Sequence, residues 1–116
     1  MIAENLTEAE AMNFARFSIV TAMDRNAAIL EVREAIYRSG GWVEDQVFFS
    51  NKAATIRFEI PASSLDKFQR DLLERGLKPH IEDEPPTEEA GDVRGTVSLT
   101  FFHQEPDLKR EVPPFG

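Results

Sequence analysis

From position 54 to position 60 the chain alternates without a break. Ala54, Ile56, Phe58 and Ile60 fall on one side, and Thr55, Arg57 and Glu59 on the other. Period two is the period of a β-strand whose two faces meet different surroundings. Pro61 ends the run, because proline has no N–H to give to a ladder. A strand of this kind needs a sheet around it and a cover over its apolar face, and the rest of the 116-residue chain must supply both.

Three further runs read as strands. Residues 14–22 place Phe17 and Ile19 on one face and Arg16 and Ser18 on the other. Residues 42–50 follow a glycine pair, and Asn51 with Lys52 fits a hairpin turn into the alternating run. Residues 96–103 set Val97, Leu99 and Phe101 against Thr96, Ser98, Thr100 and Phe102. Elsewhere the period changes to that of a helix. After Asp24, a favoured N-cap, the residues Ala28, Ile29, Val32, Ala35, Ile36 and Ser39 make one stripe that Gly40 and Gly41 close. Ser63 or Ser64 caps a second helix, with Asp66 three residues after Ser63 in capping-box fashion. Its stripe is Leu65, Phe68 and Leu72, and Gly76 ends it.

The order strand, helix, strand, strand, helix, strand predicts an α+β fold of the ferredoxin-like βαββαβ type, a four-stranded antiparallel sheet with two helices on one face. The chain reads as a single domain over 1–116 with its core at about 12–104, a flexible lead-in at 1–11 and a tail at 105–116. Residues 78–95 crowd Glu82, Asp83, Glu84, Glu88, Glu89 and Asp92 around Pro85, Pro86 and Gly91, which predicts an exposed acidic loop. Leu77 and Ile81 are candidates for a short strand ahead of it.

Charge limits the partners. Thirteen Lys and Arg against 21 Asp and Glu leave a net charge of −8, which repels nucleic acid and anionic membranes at long range. The third strand also exposes Thr55, Arg57 and Glu59 where an RNA-binding sheet sets stacking aromatics. No nucleic-acid or membrane partner is expected. No run approaches the roughly 18–20 apolar residues of a membrane span, and residues 1–5 lack the basic and apolar blocks of a signal peptide. With no cysteine, disulfides and thiolate sites are excluded, and a cytoplasmic location is expected. His80 lies near Glu82 and Asp83, but nothing in their spacing brings three or four metal ligands together, and His103 stands alone. No metal, no cofactor and no catalytic residue is assigned: Ser63 and Ser64 read as caps, and there is no nucleophile elbow or phosphate loop. Phe14, Val20, Trp42, Phe48 and Phe102 lie on or near the uncovered sheet face, which favours a homodimer.

The stretch Asp24, Arg25, Asn26, Ala27, Ala28, Ile29, Leu30, Glu31, Val32 resembles the start of ACT domains, where Asp-Arg-Pro-Gly, two apolar residues and a Glu-Val pair follow the first strand. Ile36 and residues 40–43 look like that family's helix end and its turn into the second strand. Asn26 stands where the family has proline, and Ala27 where it has glycine. The resemblance covers about residues 15–77. It implies a stand-alone ACT-like module, regulatory and non-enzymatic, that binds a small molecule such as an amino acid at an interface between paired domains. The ligand-binding residues it implies are Asp24, Arg25, Asn26, Ala27 and Ala28, with Gly41 and Trp42 nearby. The alternatives are a structural homo-oligomeric interaction protein and a small ferredoxin-like enzyme.

Overall fold

Every strand expected from alternation forms, and a fifth joins them. The computed structural model describes residues 14–84 and 91–102. In chain order it contains β1 (Phe14–Thr21), α1 (Arg25–Arg38), β2 (Trp42–Ser50), β3 (Ala53–Pro61), a 3-10 turn (Ala62–Ser64), α2 (Leu65–Glu74), β4 (His80–Asp83) and β5 (Asp92–Phe101). The lead-in at 1–11, the tail at 105–116, His103 and residues 85–90 of the acidic loop lie outside the described residues.

The fold is α+β, but the four-stranded antiparallel sheet is corrected to a mixed sheet of five strands ordered β2-β3-β5-β1-β4. β5 is inserted between β1 and β3, parallel to β1 and antiparallel to β3. β4 pairs antiparallel with the far side of β1. Residues 78–95 are therefore not one loop: 80–83 form an edge strand and 92–95 begin β5. The physical reason is that alternation assigns a residue to a face but never assigns a strand its neighbours. β5 buries Val93, Val97, Leu99 and Phe101 along one face, so a central position gives it the most burial. β4 exposes all four of its residues and suits only an edge.

One core joins the inner face of the sheet to both helices. Phe17, Ile19, Ile56, Phe58, Ile60, Val97 and Leu99 meet Ile29, Val32 and Ile36 of α1 and Phe68 and Leu72 of α2. Phe68 packs on Phe17 at 5.9 Å and on Phe58 at 5.1 Å between ring centroids, so α2 reaches across β5 to both of its neighbours. Gly95 on β5 makes room: a Cβ there would lie 2.6 Å from Phe58 Cζ and 2.9 Å from the Ala15 carbonyl.

Both helices stop as the sequence predicts. Gly40 and Gly76 take φ of 86° and 89°, a left-handed conformation glycine adopts cheaply. The next amide then donates back into the helix, Gly41 N–H to the Ile36 carbonyl at 3.0 Å and Leu77 N–H to the Leu72 carbonyl at 2.9 Å. The start of α2 is corrected. Neither Ser63 nor Ser64 caps it through a side-chain hydrogen bond, and a 3-10 turn leads in instead.

Candidate functional site

The seven residues singled out by sequence fall at the two ends of α1. At its start, the Asp24 carboxylate accepts the Ala27 N–H at 3.1 Å, so the Asp and Ala of the motif make an N-cap. Asn26 and Ala27 are exposed, while Ala28 is fully buried in the core. Arg25 lies over the Phe48 ring of β2, 5.2 Å from its centroid, a cation–π contact that ties the helix start to the sheet edge. Gly41 and Trp42 stand beyond the other end, about 20 Å away for a helix of 14 residues. Gly41 is required by packing, since a Cβ would collide with the Glu59 carbonyl and with Ile60 Cγ2. Trp42 sits opposite Glu59 in the ladder and belongs to the outer face of the sheet. Within one chain, the two halves of the motif do not meet.

That outer face is built in rows set by the register. One row runs Asp45, Arg57, Thr96, Arg16, Asp83 from edge to edge. Each arginine turns to its edge strand. Arg57 donates Nε and Nη2 to the two Asp45 oxygens at 2.9 and 2.6 Å, and Arg16 Nε donates to Asp83 at 3.0 Å. The first pair holds the Asp45 carboxyl below its usual range and raises the Arg57 guanidinium, chiefly through those hydrogen bonds. The next row, Val47, Thr55, Ser98, Ser18, is small and hydroxylic toward the centre. In the row of Trp42, Glu59, Arg94 and Phe14, the Glu59 carboxyl is raised. Desolvation is the main cause, followed by a hydrogen bond and like charge from Glu44 and then by Asp92, with Arg94 opposing.

The two edges of the sheet differ in kind. β4 is four residues long, entirely polar apart from Ile81, and preceded by Pro79; short charged strands beside proline resist pairing. β2 runs nine residues, and Trp42, Val47, Phe48 and Phe49 on it are all exposed large apolar side chains. Bulges after Val43 and Phe48 confine its regular ladder to residues 45–48. From the helix side, Arg25 and Arg33 reach the same strand, Arg33 donating to the Gln46 side chain at 3.2 Å.

Sequence reading found the helix start as a motif and Trp42 and Phe48 as exposed apolar residues, but not that these share one edge strand with Val47 and Phe49. Among the described residues no three His, Asp or Glu side chains converge as a metal site, and no helix is long and apolar enough to cross a membrane. No protein-family model, no curated protein and no solved structure matches this chain.

Proposed function

We propose that this chain is a non-enzymatic binding module that works as a homodimer joined through β2. The contrast between the two sheet edges carries the reading: one is blunted, and the other offers nine residues with four exposed apolar side chains. An unpaired apolar edge is a template for another strand, and a second copy across a two-fold axis satisfies both edges with one self-complementary contact. Sedimentation equilibrium at micromolar concentration tests this. The expected result is a dimer, converted to monomer by Val47→Lys with Phe49→Glu; a monomeric wild-type chain at every concentration ends the proposal.

The ACT-like reading extends this one, and the Arg25 contact with Phe48 favours it. Antiparallel pairing of two β2 strands sets the Gly41 end of one copy beside the Phe48 end of the other. Residues 24–28 and the turn at 40–43 then come together across the seam. The ligand class is a small molecule such as an amino acid, and the setting is the cytoplasm, in keeping with a cysteine-free chain. A thermal-shift screen of amino acids is expected to raise Tm for the wild type but not for the monomeric variant. A ligand that raises both equally places its site away from the seam.

A further inference from the structure

Beside its buried stripe α1 has two flanks, and contacts assign each of them. Glu31 accepts from Arg75 Nη1 at 2.7 Å, and Lys67 of α2 donates to the Arg38 carbonyl at 2.9 Å, so one flank faces α2. On the other, Arg25 lies over Phe48, and Arg33 donates to Gln46 while its guanidinium stands 6.0 Å from the Tyr37 ring centroid. That flank looks toward the open edge of β2. It carries Leu30 and Tyr37, two turns apart on one stripe and 57% and 50% exposed. Singly exposed apolar residues need no partner, but these two continue a surface. Phe48 pairs with the buried Ala54 and so stands on the same side of the sheet, itself exposed at the edge. A strand edge alone makes a small interface: about 30 Å of strand and a sheet about 10 Å thick cover about 300 Å² per partner, short of the ~800 Å² of a stable pair.

We propose that the partner of this flank is the same flank of a second copy: the two α1 helices pack antiparallel over the β2 seam, Leu30 of each against Tyr37 of the other. The inference rests on the β2 pairing proposed above and adds a helical layer to it. Spacing supports it. α1 lies over β2 and β3, about half a strand spacing inside β2, and the seam lies another half-spacing outside. Two such helices stand about 10 Å apart for strands ~4.8 Å apart, which is the distance at which helices pack. Register supports it too. Arg33 reaches Gln46, within the regular stretch 45–48 of β2, so a two-fold axis there passes level with residues 33 and 34. Antiparallel helices related by that axis set position 30 against 37 and position 33 against 34. Leucine then meets tyrosine, and Arg33 meets the exposed Glu34 of the other copy, so the flank complements itself in shape and in charge.

The chain has no cysteine, so introduced thiols report on this contact alone. One full-length chain carries Leu30→Cys and a second carries Tyr37→Cys; each is oxidised by itself and after mixing. Across the axis, position 30 is level with 37, whereas 30 and 30 are offset by about 10 Å along the helix, beyond the Cα separation a disulfide spans. The mixture is expected to give at least tenfold more covalent dimer than either chain alone. Adding Val47→Lys with Phe49→Glu to both chains abolishes it, because the helices meet only when β2 pairs. Independently, Leu30→Lys with Tyr37→Lys leaves the β2 edge untouched and raises the dimer dissociation constant at least tenfold in sedimentation equilibrium. A mixture that cross-links no better than its components, a cross-link that survives the β2 substitutions, or a double lysine variant that dimerises with wild-type affinity overturns the helical layer and leaves the β2 seam standing. A wild-type chain that is monomeric at every concentration ends both.

Discussion

Gly95 shows what a single missing side chain does in a packed sheet. Phe58 lies opposite it in the ladder and fills the space a Cβ would take, which lets Phe68 sit on Phe58 and Phe17 together. Gly95→Ala is expected to cost about 1–3 kcal/mol through overpacking, read as a lower urea midpoint at constant m-value. Phe58→Ala costs about 3–5 kcal/mol. Because the two share one space, Gly95→Ala should cost less in the Phe58→Ala background; full additivity would mean the contact is not the cause. Glu59 acts through its proton. Its folded pKa is raised above the ordinary 4.5, so from that value upward the folded chain holds the proton more tightly than the unfolded one. Stability from this group is therefore present at low pH and lost as pH rises through the folded value. Glu59→Gln, neutral throughout, is expected to raise Tm relative to wild type at pH 7 and to lose that advantage below about pH 4. A gain that does not vary with pH would assign the effect to packing.

At the scale of elements, legibility tracked the kind of signal. Both helices were readable because stripe and stop agree: Val32 and Ile36, or Phe68 and Leu72, fall on the buried side, and Gly40 and Gly76 end the turns. The start of α2 was not, since a backbone 3-10 turn replaces the serine cap. β4 was legible only as a candidate short strand around Leu77 and Ile81, without its bounds or its partner. His80, Ile81, Glu82 and Asp83 carry no alternation of burial, and they are recruited by ladder bonds to β1 and by side-chain pairs 60 or more positions distant, Asp83 with Arg16 and Glu82 with Ser18. Such exposed pairs contribute under about 1 kcal/mol each. Amides of β4 are accordingly expected to exchange with deuterium far faster than those of β5, by local opening that leaves the core intact. Protection of β4 equal to that of β5 would make it part of the cooperative unit. The candidate site divides the same way. The Asp24 cap is a local pattern and was seen, whereas the partners that give Arg25 and Glu59 their surroundings lie on β2 and β5.

For the whole molecule, the order β2-β3-β5-β1-β4 joins two halves through one strand. β2 and β3 form a local hairpin, and β4 lies against β1, but among the described residues only β5 pairs with both β3 and β1. Its partners on β1 stand 80 positions earlier, Phe14 opposite Arg94 and Thr21 opposite Phe101. Contacts of such separation slow folding, because the loop must close before any burial rewards it. The consequence falls on biosynthesis. As the chain leaves the ribosome, Phe17, Ile19, Ile56 and Phe58 emerge tens of residues before the strand that unites their sheet, and the unpaired sides of β1 and β3 stay open to other nascent chains. The sheet cannot close until Leu99 and Phe101 have left the ribosome, so throughout synthesis the chain carries two half-sheets whose open sides can pair wrongly.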